Sequence, residues 1–281
     1  MKAIVYNILY FSLIYISTFN FAHAAGSENF NGYHEHTDPD GTIYKGQWKN
    51  GDWHGKGSTK YSNGNTYEGN YVNNKREGFG IMIFPSGARY EGEWKANKKK
   101  GYGKFFYPNG VKYEGQFANG QFNGKGTLIR TNGITYEGDF VNNKFDGYGT
   151  LLFTNGAKYT GQFSNNIAKG QGTFTSTDGS KFKGTFNDLF EEASGVMRCG
   201  NNVSIPLVWE RNVAKQAFAD GSQFWGQFKN CKKEGFGTLI YSNGDSWRGE
   251  FRDGKRQGLG TMVCGDGSSV DLQLNLIHGL H

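Results

Sequence analysis

The stretch from Tyr113 to Thr135 reads YEGQFANGQFNGKGTLIRTNGIT, and most of the chain after its N-terminus repeats this pattern. We number the positions of each repeat from the residue that corresponds to Tyr113. Glycine stands at position three and an aromatic residue at position five of all nine repeats in the sequence. The spacing is 23 residues, apart from one interruption, and the repeats begin at Tyr44, Tyr67, Tyr90, Tyr113, Tyr136, Tyr159, Phe182, Phe224 and Trp247.

The second half of most repeats has glycine at positions twelve and fourteen, an apolar residue at sixteen, and a closing turn dipeptide such as Asn132-Gly133. A period of 23 residues with one such turn leaves room for two short strands and two connections. The density of glycine, 44 residues in all, excludes helices. The sequence therefore predicts an all-β fold, an elongated single-layer antiparallel meander of about nine stacked 23-residue β-hairpins.

Strand alternation predicts which residues pack together. Side chains of a strand alternate between its two faces, so positions one, three and five share one face, and positions twelve, fourteen and sixteen share one. We expect the rings of positions one and five to lie over the glycines of twelve and fourteen, in the space that glycine leaves. These glycines are interpreted as packing positions, because Gly-x-Gly alone is a weak signal for a phosphate-binding loop.

The residues Tyr90-Glu91-Gly92-Glu93-Trp94, Gly101-Tyr102-Gly103 and Asn109-Gly110 resemble the MORN (membrane occupation and recognition nexus) repeat family. The resemblance covers about residues 44–267. It implies a stack of β-hairpins that serves as a scaffold binding proteins or membrane phospholipids. MORN repeats also occur beside catalytic domains such as lipid kinases and methyltransferases, but we expect no such domain here.

No catalytic motif is visible in the sequence. It has no Gly-x-Ser-x-Gly, His-Glu-x-x-His or Walker pattern. We therefore predict a protein that is not an enzyme, has no catalytic or metal-binding residues, and needs no cofactor. The net charge of +6 is modest, and no nucleic acid partner is expected.

The first 24 residues predict export. Lys2 is followed by an apolar run and by Ala22-His23-Ala24, which is typical of a secretory signal peptide cleaved after Ala24. The alternative is an uncleaved membrane anchor. We expect a periplasmic or extracellular protein.

The three cysteines, Cys199, Cys231 and Cys264, allow at most one disulfide, and the favoured interpretation is free thiols. In stacked hairpins Cys199 and Cys264 would lie roughly 20 Å apart, which is too far for a bridge.

The domain organisation follows from the repeats. The predicted segments are a signal peptide (1–24), a flexible lead-in (25–43), repeats one to seven (44–198), an insertion in repeat seven (199–223), repeats eight and nine (224–267) and a C-terminal capping strand (268–281). The insertion is interpreted as an enlarged loop that folds back over the sheet, and the alternative is a partner contact.

Positions nine and ten are often basic. If they lie in the connection between the two strands of a repeat, stacking aligns them along one side, which we call the basic edge. Such an edge suits an anionic membrane surface, and ordinary solubilising charge is the alternative. Its members, with Lys100 at position eleven, are Lys75, Arg76, Lys98, Lys99, Lys100, Lys144, Lys232, Lys233, Lys255 and Arg256.

The face opposite the rings, which we call the second face, is apolar at positions thirteen and seventeen. We interpret it as a partner or dimer surface, unless twisting of the sheet shelters it. Its candidate residues are Phe79, Ile83, Tyr102, Phe106, Ile129, Tyr148, Leu152, Phe236 and Ile240.

The sequence as a whole favours a non-catalytic exported scaffold that binds a protein or an anionic membrane surface. The alternative is a small-ligand or carbohydrate binder that uses exposed aromatic residues, including Trp53, Trp209 and Trp225. An enzyme with an unrecognised site is the third hypothesis.

Overall fold

The computed structural model describes residues 29–188, 191–199, 203–210 and 213–274. These residues form 22 β-strands, and the described part of the chain contains no helix. Consequently none of the described residues forms a helix that could span a membrane. The predicted signal peptide, 1–24, lies outside the described residues.

The chain divides into two compact units, residues 1–144 and 145–281. In the first unit each strand pairs antiparallel with the next along the chain. Its strands are β1 (Gly32–Thr37), β2 (Ile43–Lys49), β3 (Asp52–Lys60), β4 (Thr66–Val72), β5 (Lys75–Ile83), β6 (Arg89–Lys95), β7 (Lys98–Phe106), β8 (Lys112–Ala118), β9 (Gln121–Ile129) and β10 (Thr135–Val141).

The second unit follows the same rule of antiparallel pairing between consecutive strands. Its strands are β11 (Lys144–Leu152), which starts at the boundary, β12 (Lys158–Ser164), β13 (Ile167–Thr175), β14 (Lys181–Asp188), β15 (Glu192–Arg198), β16 (Ser204–Glu210), β17 (Val213–Ala217), β18 (Gln223–Lys229), β19 (Lys232–Ile240), β20 (Ser246–Arg252), β21 (Lys255–Val263) and β22 (Ser269–Leu274). The predicted all-β antiparallel meander is confirmed.

Repeat four shows how one hairpin is built. Strands β8 and β9 are joined by Asn119 and Gly120, whose φ angles are 52° and 85°. Two such left-handed residues form the type I′ turn that matches the twist of a hairpin. The turn therefore occupies positions seven and eight, and positions nine and ten already belong to the second strand.

The rings of positions one and five lie on one face, which we call the inner face. Tyr113 and Phe117 are both buried. A Cβ atom built on Gly126 would lie 2.5 Å from the Tyr113 hydroxyl oxygen, so the ring fills the space above this glycine as predicted. The Tyr113 hydroxyl donates a hydrogen bond to the Gln116 carbonyl at 2.7 Å, which satisfies a polar group that burial would otherwise leave unpaired.

Position twelve departs from the prediction. The register of β8 and β9 shifts between Gly115 and Phe117, which marks a β-bulge. Gly124 has a φ of 69°, and a Cβ there would collide with the Gln116 carboxamide rather than with a ring. The placement of position twelve beneath the rings is wrong, because this glycine supplies the left-handed backbone of the bulge.

Two segments differ from the sequence interpretation. Strand β1 lies within the predicted flexible lead-in, where it pairs with β2. The predicted insertion contains β16 and β17, which pair with each other and with the flanking strands β15 and β18. Its interpretation as a loop folded over the sheet is wrong, because the segment is a shortened hairpin that continues the meander.

The shortened hairpin keeps part of the repeat pattern. Ile205 and Leu207 are buried at the places of positions one and three, with leucine standing where other repeats have glycine. The predicted C-terminal strand corresponds to β22, and residues 275–281 lie outside the described residues.

The expectation of three free thiols is also wrong. Cys199 and Cys231 form a disulfide with their Cα atoms 5.9 Å apart, and Cys264 is free. Cys231 occupies position eight of repeat eight, in the turn that joins β18 to β19. The hairpin spacing excluded only the pair Cys199 and Cys264, and no turn was predicted at Cys231.

Candidate binding surfaces

The residues assigned to the basic edge divide into two sets, because positions nine and ten are neighbours in a strand and face opposite sides. Position ten faces inward. Phe122 at this position stacks on Tyr113 with ring centroids 3.7 Å apart, and Trp53 stacks on Tyr44 at 4.4 Å. Where position ten is basic, the cation takes the place of the stacked ring.

Lys99 is the most enclosed of these cations, with only 7% of its surface exposed. Its Nζ atom lies 4.7 Å from the Phe105 ring centroid and 5.4 Å from that of Tyr90. Ring faces attract a cation, and this attraction grows when water is excluded. Burial, and next the charge of Arg76, lower the pKa of Lys99 to about 8. Lys99 is thus a core residue that no membrane or partner can reach in the folded protein.

Arg76 also packs its charged group against an aromatic ring of the inner face. Its Cζ atom lies 4.4 Å from the Trp94 ring centroid, and its guanidinium donates a hydrogen bond of 3.1 Å to the carbonyl of Asn97. In repeats eight and nine, Lys233 lies 5.0 Å from the Phe218 centroid and Arg256 lies 5.4 Å from that of Trp247. Lys233 is half-buried, whereas Arg256 is exposed.

The other six basic residues remain exposed. Lys232 pairs with Asp253 at 3.2 Å. The exposed basic surface is therefore smaller than predicted, and it consists of Lys75, Lys98, Lys100 and Lys144 in the first unit and Lys232, Lys255 and Arg256 in the second.

The second face carries its large apolar side chains in solvent. Phe79 is 58% exposed and Phe236 is 63% exposed, and Tyr102 and Tyr148 are more than half exposed. Of the position-seventeen residues, Ile83, Ile129 and Leu152 are exposed, and Phe106 and Ile240 are half-buried. Leu259, which is 67% exposed, stands at position thirteen of repeat nine and was missed, although the repeat register alone identifies it.

Ion pairs separate the apolar rows of the second face in the first unit. Glu114 accepts a hydrogen bond of 2.8 Å from the Tyr102 hydroxyl and pairs with Lys104 at 3.1 Å. The bond from Tyr102, followed by the one from Lys104, lowers the pKa of the Glu114 carboxyl. Arg89 and Glu91 pair at 2.7 Å. The glutamates of position two thus form a charged border beside the aromatic row.

The aromatic residues proposed for a carbohydrate site have different environments. Trp53 is buried against Tyr44, Trp209 is half-buried, and Trp225 is 39% exposed with the Lys215 ammonium 4.2 Å from its ring centroid. Among the described residues, no group of three His, Cys, Asp or Glu side chains is placed to hold a metal ion.

Comparison with known proteins identifies the repeat. A family model described as the MORN repeat matches eight times, at residues 44–66, 67–89, 90–112, 113–135, 136–158, 159–181, 226–246 and 247–269. The seventh of the nine predicted repeats, which begins at Phe182, is not matched. A comparison with curated proteins found no match.

Several solved structures show distant likeness. The TCP domain of SAS-4 (dCPAP) of Drosophila melanogaster, solved with a proline-rich motif of Ana2 (dSTIL), has a TM-score of 0.38 and 15% identity, covering 62% of this chain and 88% of that one. The wild-type TCP10 domain of Danio rerio CPAP has a TM-score of 0.28 and 13% identity, covering 85% and 99%. Virginiamycin B lyase from Staphylococcus aureus has a TM-score of 0.17 and 10% identity, covering 89% and 86%. Likeness at this level carries no information on function.

Proposed function

This chain belongs to the MORN repeat family, and we propose that it is an exported, non-catalytic scaffold that binds a protein partner through its second face. The observation that carries this proposal is the aromatic row at position thirteen. Phe79 and Tyr102 stand on neighbouring hairpins of the first unit, and both are more than half exposed. Exposed aromatic groups beside polar residues are typical of protein-binding surfaces, where aromatic residues are enriched.

The two faces of the sheet support this division of roles. Inner-face positions are fixed by close packing, since a Cβ on Gly103 would lie 2.6 Å from the Tyr90 hydroxyl oxygen. Position thirteen has no such restriction and holds Phe79, Tyr102, Lys125 and Tyr148 in successive repeats. A surface that varies on a constant framework suits a binding role.

The partner hypothesis is tested by crosslinking from the second face. We expect a photoreactive phenylalanine analogue at position 102 to capture one partner from the native compartment, and the double variant Phe79→Lys and Tyr102→Lys to lose it. The matched control carries the same analogue at position 86, an exposed position in the turn between β5 and β6. Capture of the same protein from both positions, or unchanged binding by the double variant, would overturn the proposal.

Export is supported by two independent features. The sequence of residues 1–24 has the pattern of a signal peptide. The Cys199–Cys231 disulfide suits an oxidising compartment, since such bonds are rare in the cytosol. Cell fractionation, combined with thiol alkylation before reduction, should find the processed protein outside the cytoplasm with a single unprotected thiol, Cys264. Full-length protein with three reactive thiols in the cytoplasm contradicts export.

A second candidate function, binding to an anionic membrane surface, is favoured by the exposed lysines. Lys98 and Lys100 flank the buried Lys99 on the same strand, and each basic residue near an anionic surface contributes about 1 kcal/mol. Co-sedimentation with vesicles containing phosphatidylglycerol should weaken in the double variant Lys98→Glu and Lys100→Glu. Lys99 is left unchanged, because a glutamate at this buried position would disturb the core. Absence of binding by the unaltered protein rejects this function.

A further inference from the structure

A groove of about 390 Å³ lies on the inner face where repeats eight and nine meet. Its volume is within the range of small-molecule sites. Two cations of position ten, Lys233 and Arg256, line it from the inner face, whereas Lys255 at position nine borders it but faces the opposite side of the strand. In the described part of the chain, no carboxylate lies within 4.0 Å of the charged atoms of these three residues. The groove therefore gathers positive charge with no carboxylate in ion-pair contact, and Asp220 is close enough to act on Lys233 only over a longer distance.

Electrostatics within the groove are unfavourable in the absence of a ligand. Burial, and next the charge of Arg256, lower the pKa of Lys233, while Asp220 acts more weakly in the opposite direction. Lys233 and Arg256 thus repel each other. An anion placed between them would relieve the repulsion and form charge-assisted hydrogen bonds.

The backbone of the groove lacks an acceptor that four of the other repeats supply. Where position eight is asparagine, its side-chain oxygen accepts the N–H of position ten in the preceding repeat. Repeat nine has Gly254 at position eight, which has no side chain to accept the N–H of Lys233. The regular bonds are Trp53 to Asn74 at 2.7 Å, Arg76 to Asn97 at 2.9 Å, Phe122 to Asn143 at 2.7 Å and Phe145 to Asn166 at 2.8 Å.

The absence of a side chain at Gly254 also leaves space beside the Lys233 backbone. A Cβ on Gly254 would have no atom nearer than the Lys232 Cβ at 4.0 Å. A ligand oxygen can thus occupy the place of the missing carboxamide oxygen. The rest of the groove is lined by Leu239, Phe251 and Leu274, so the ligand needs an apolar part as well.

We propose that this groove binds a small anionic amphiphile, a molecule with a phosphate or carboxylate head and a short apolar chain. The head lies between Lys233 and Arg256 and accepts the Lys233 N–H, and the chain lies against Leu239, Phe251 and Leu274. This site is separate from the second face, so it adds a ligand to the scaffold function rather than replacing the protein partner.

Repeats three and four provide an internal comparison. Gly120 stands at position eight above Lys99, in the same relation as Gly254 to Lys233, and its N–H donates to the Lys99 carbonyl at 2.9 Å. Lys99 is buried among rings, and position ten of the following repeat is Phe122 instead of a cation. Gly120 therefore provides a matched control, with the same glycine but no cationic groove.

The test uses isothermal titration calorimetry of the full-length processed protein with decyl phosphate below its critical micelle concentration. We expect saturable binding of one molecule. We also expect a loss of at least about tenfold in affinity for Gly254→Asn, which introduces the asparagine that repeats two, three, five and six have at this position. A tenfold loss corresponds to about 1.4 kcal/mol. The variant is expected to fold, because Asn97 has a φ of 69° at the equivalent position. Arg256→Gln should also weaken binding, and Gly120→Asn should not.

Three outcomes overturn the proposal. The first is the absence of saturable binding by the unaltered protein, and the second is unchanged affinity in Gly254→Asn. The third is equal affinity for inorganic phosphate, which removes the need for an apolar chain. Vesicles containing phosphatidylglycerol form a separate arm of the experiment. Binding to vesicles without binding of monomeric decyl phosphate supports the membrane function and rejects the groove, so the two proposals fail separately.

Discussion

Repeats two and three, residues 67–112, and repeats eight and nine, residues 224–269, carry the same basic pairs at positions nine and ten but use them differently. In the first region Lys99 is buried, with Phe117 of repeat four 5.8 Å from its ammonium. In the second region Arg256 is exposed, and only β22 follows it among the described strands. The difference shows that burial of a position-ten cation depends on the ring that the next repeat places over it.

Position eight also differs between the two regions. In the first, Asn97 accepts hydrogen bonds from both the backbone N–H and the side chain of Arg76. In the second, the same position holds Cys231, which is bonded to Cys199, and then Gly254. In these regions position eight therefore links a repeat to an earlier one. The link is a carboxamide hydrogen bond at Asn97, a disulfide at Cys231 and a single backbone hydrogen bond at Gly254.

The largest expected effect concerns a feature that the two regions share. Gly103 and Gly260 both lie under the ring of position one, and a Cβ on either would overlap Tyr90 or Trp247. We expect Gly103→Val and Gly260→Val each to lower the free energy of unfolding by about 4 kcal/mol, because overpacking forces ring and strand apart. Urea denaturation measures the change.

The control for this prediction is Gly87→Ala. Gly87 has a φ of 83° but only Pro108 atoms near 4 Å, so the cost should be the backbone strain of about 1 kcal/mol. If Gly103→Val costs no more than Gly87→Ala, the ring-over-glycine packing does not hold the repeats together.

The next largest expected effect concerns the disulfide that joins Cys231 of repeat eight to Cys199. It closes a loop with a sequence separation of 32 residues, across the shortened hairpin. We expect Cys199→Ser combined with Cys231→Ser to cost about 3 kcal/mol in unfolding free energy, since the unfolded chain gains the entropy of the open loop. Cys264→Ser, which changes a free thiol, is the control and should cost much less. Equal costs would show that the disulfide contributes nothing specific.

A smaller effect follows from the buried ammonium of Lys99. Its pKa is about 8 in the fold, against roughly 10.4 in an unfolded chain, so the folded protein binds fewer protons between these values. The contribution of Lys99 to the free energy of unfolding therefore rises with pH, by about 2 kcal/mol between pH 8 and 9.5. We expect Lys99→Met to stabilise the protein at pH 7 by roughly the same amount and to remove this rise.

Urea denaturation of both proteins at several pH values checks the prediction. Measurements stay below pH 10, because burial raises the pKa of Tyr90 and ionisation of unfolded tyrosines then acts in the opposite direction. Lys98→Met, at the exposed neighbouring position of the same strand, should leave the pH profile unchanged. Parallel profiles for the unaltered protein and Lys99→Met would show that Lys99 is not the titrating group.

Sequence alone predicted the inner face well, because the alternation of strand residues is enough to place Tyr113 over Gly126. It misplaced Lys99 because positions nine and ten were assigned to a connection. The repeated asparagines at positions seven and eight, such as Asn142-Asn143, favour left-handed backbone and could have located the turn there. Alternation would then have placed position ten inward.

Other features could not be predicted in this way. The shortened hairpin has Leu207 in place of the position-three glycine, so its membership in the sheet is visible only from its pairing with β15. The groove depends on the difference between Gly254 and asparagine, whose meaning is clear only when the hydrogen bonds of the other repeats are known.

The smallest expected effect concerns the side chain at position eight and its hydrogen bond to the preceding repeat. Asn97→Gly converts repeat three to the state of repeat nine, and it removes the side-chain acceptor for the Arg76 backbone N–H and for its Nε–H, while the bond from Nη2 to the backbone carbonyl remains. We expect a loss of about 1 kcal/mol in unfolding free energy, the typical contribution of such a hydrogen bond. Gly254→Asn is the reverse change and should add a similar amount. If hydrogen exchange of the Arg76 amide is not faster in Asn97→Gly, the carboxamide does not protect it, and the difference between the two regions must come from the rings alone.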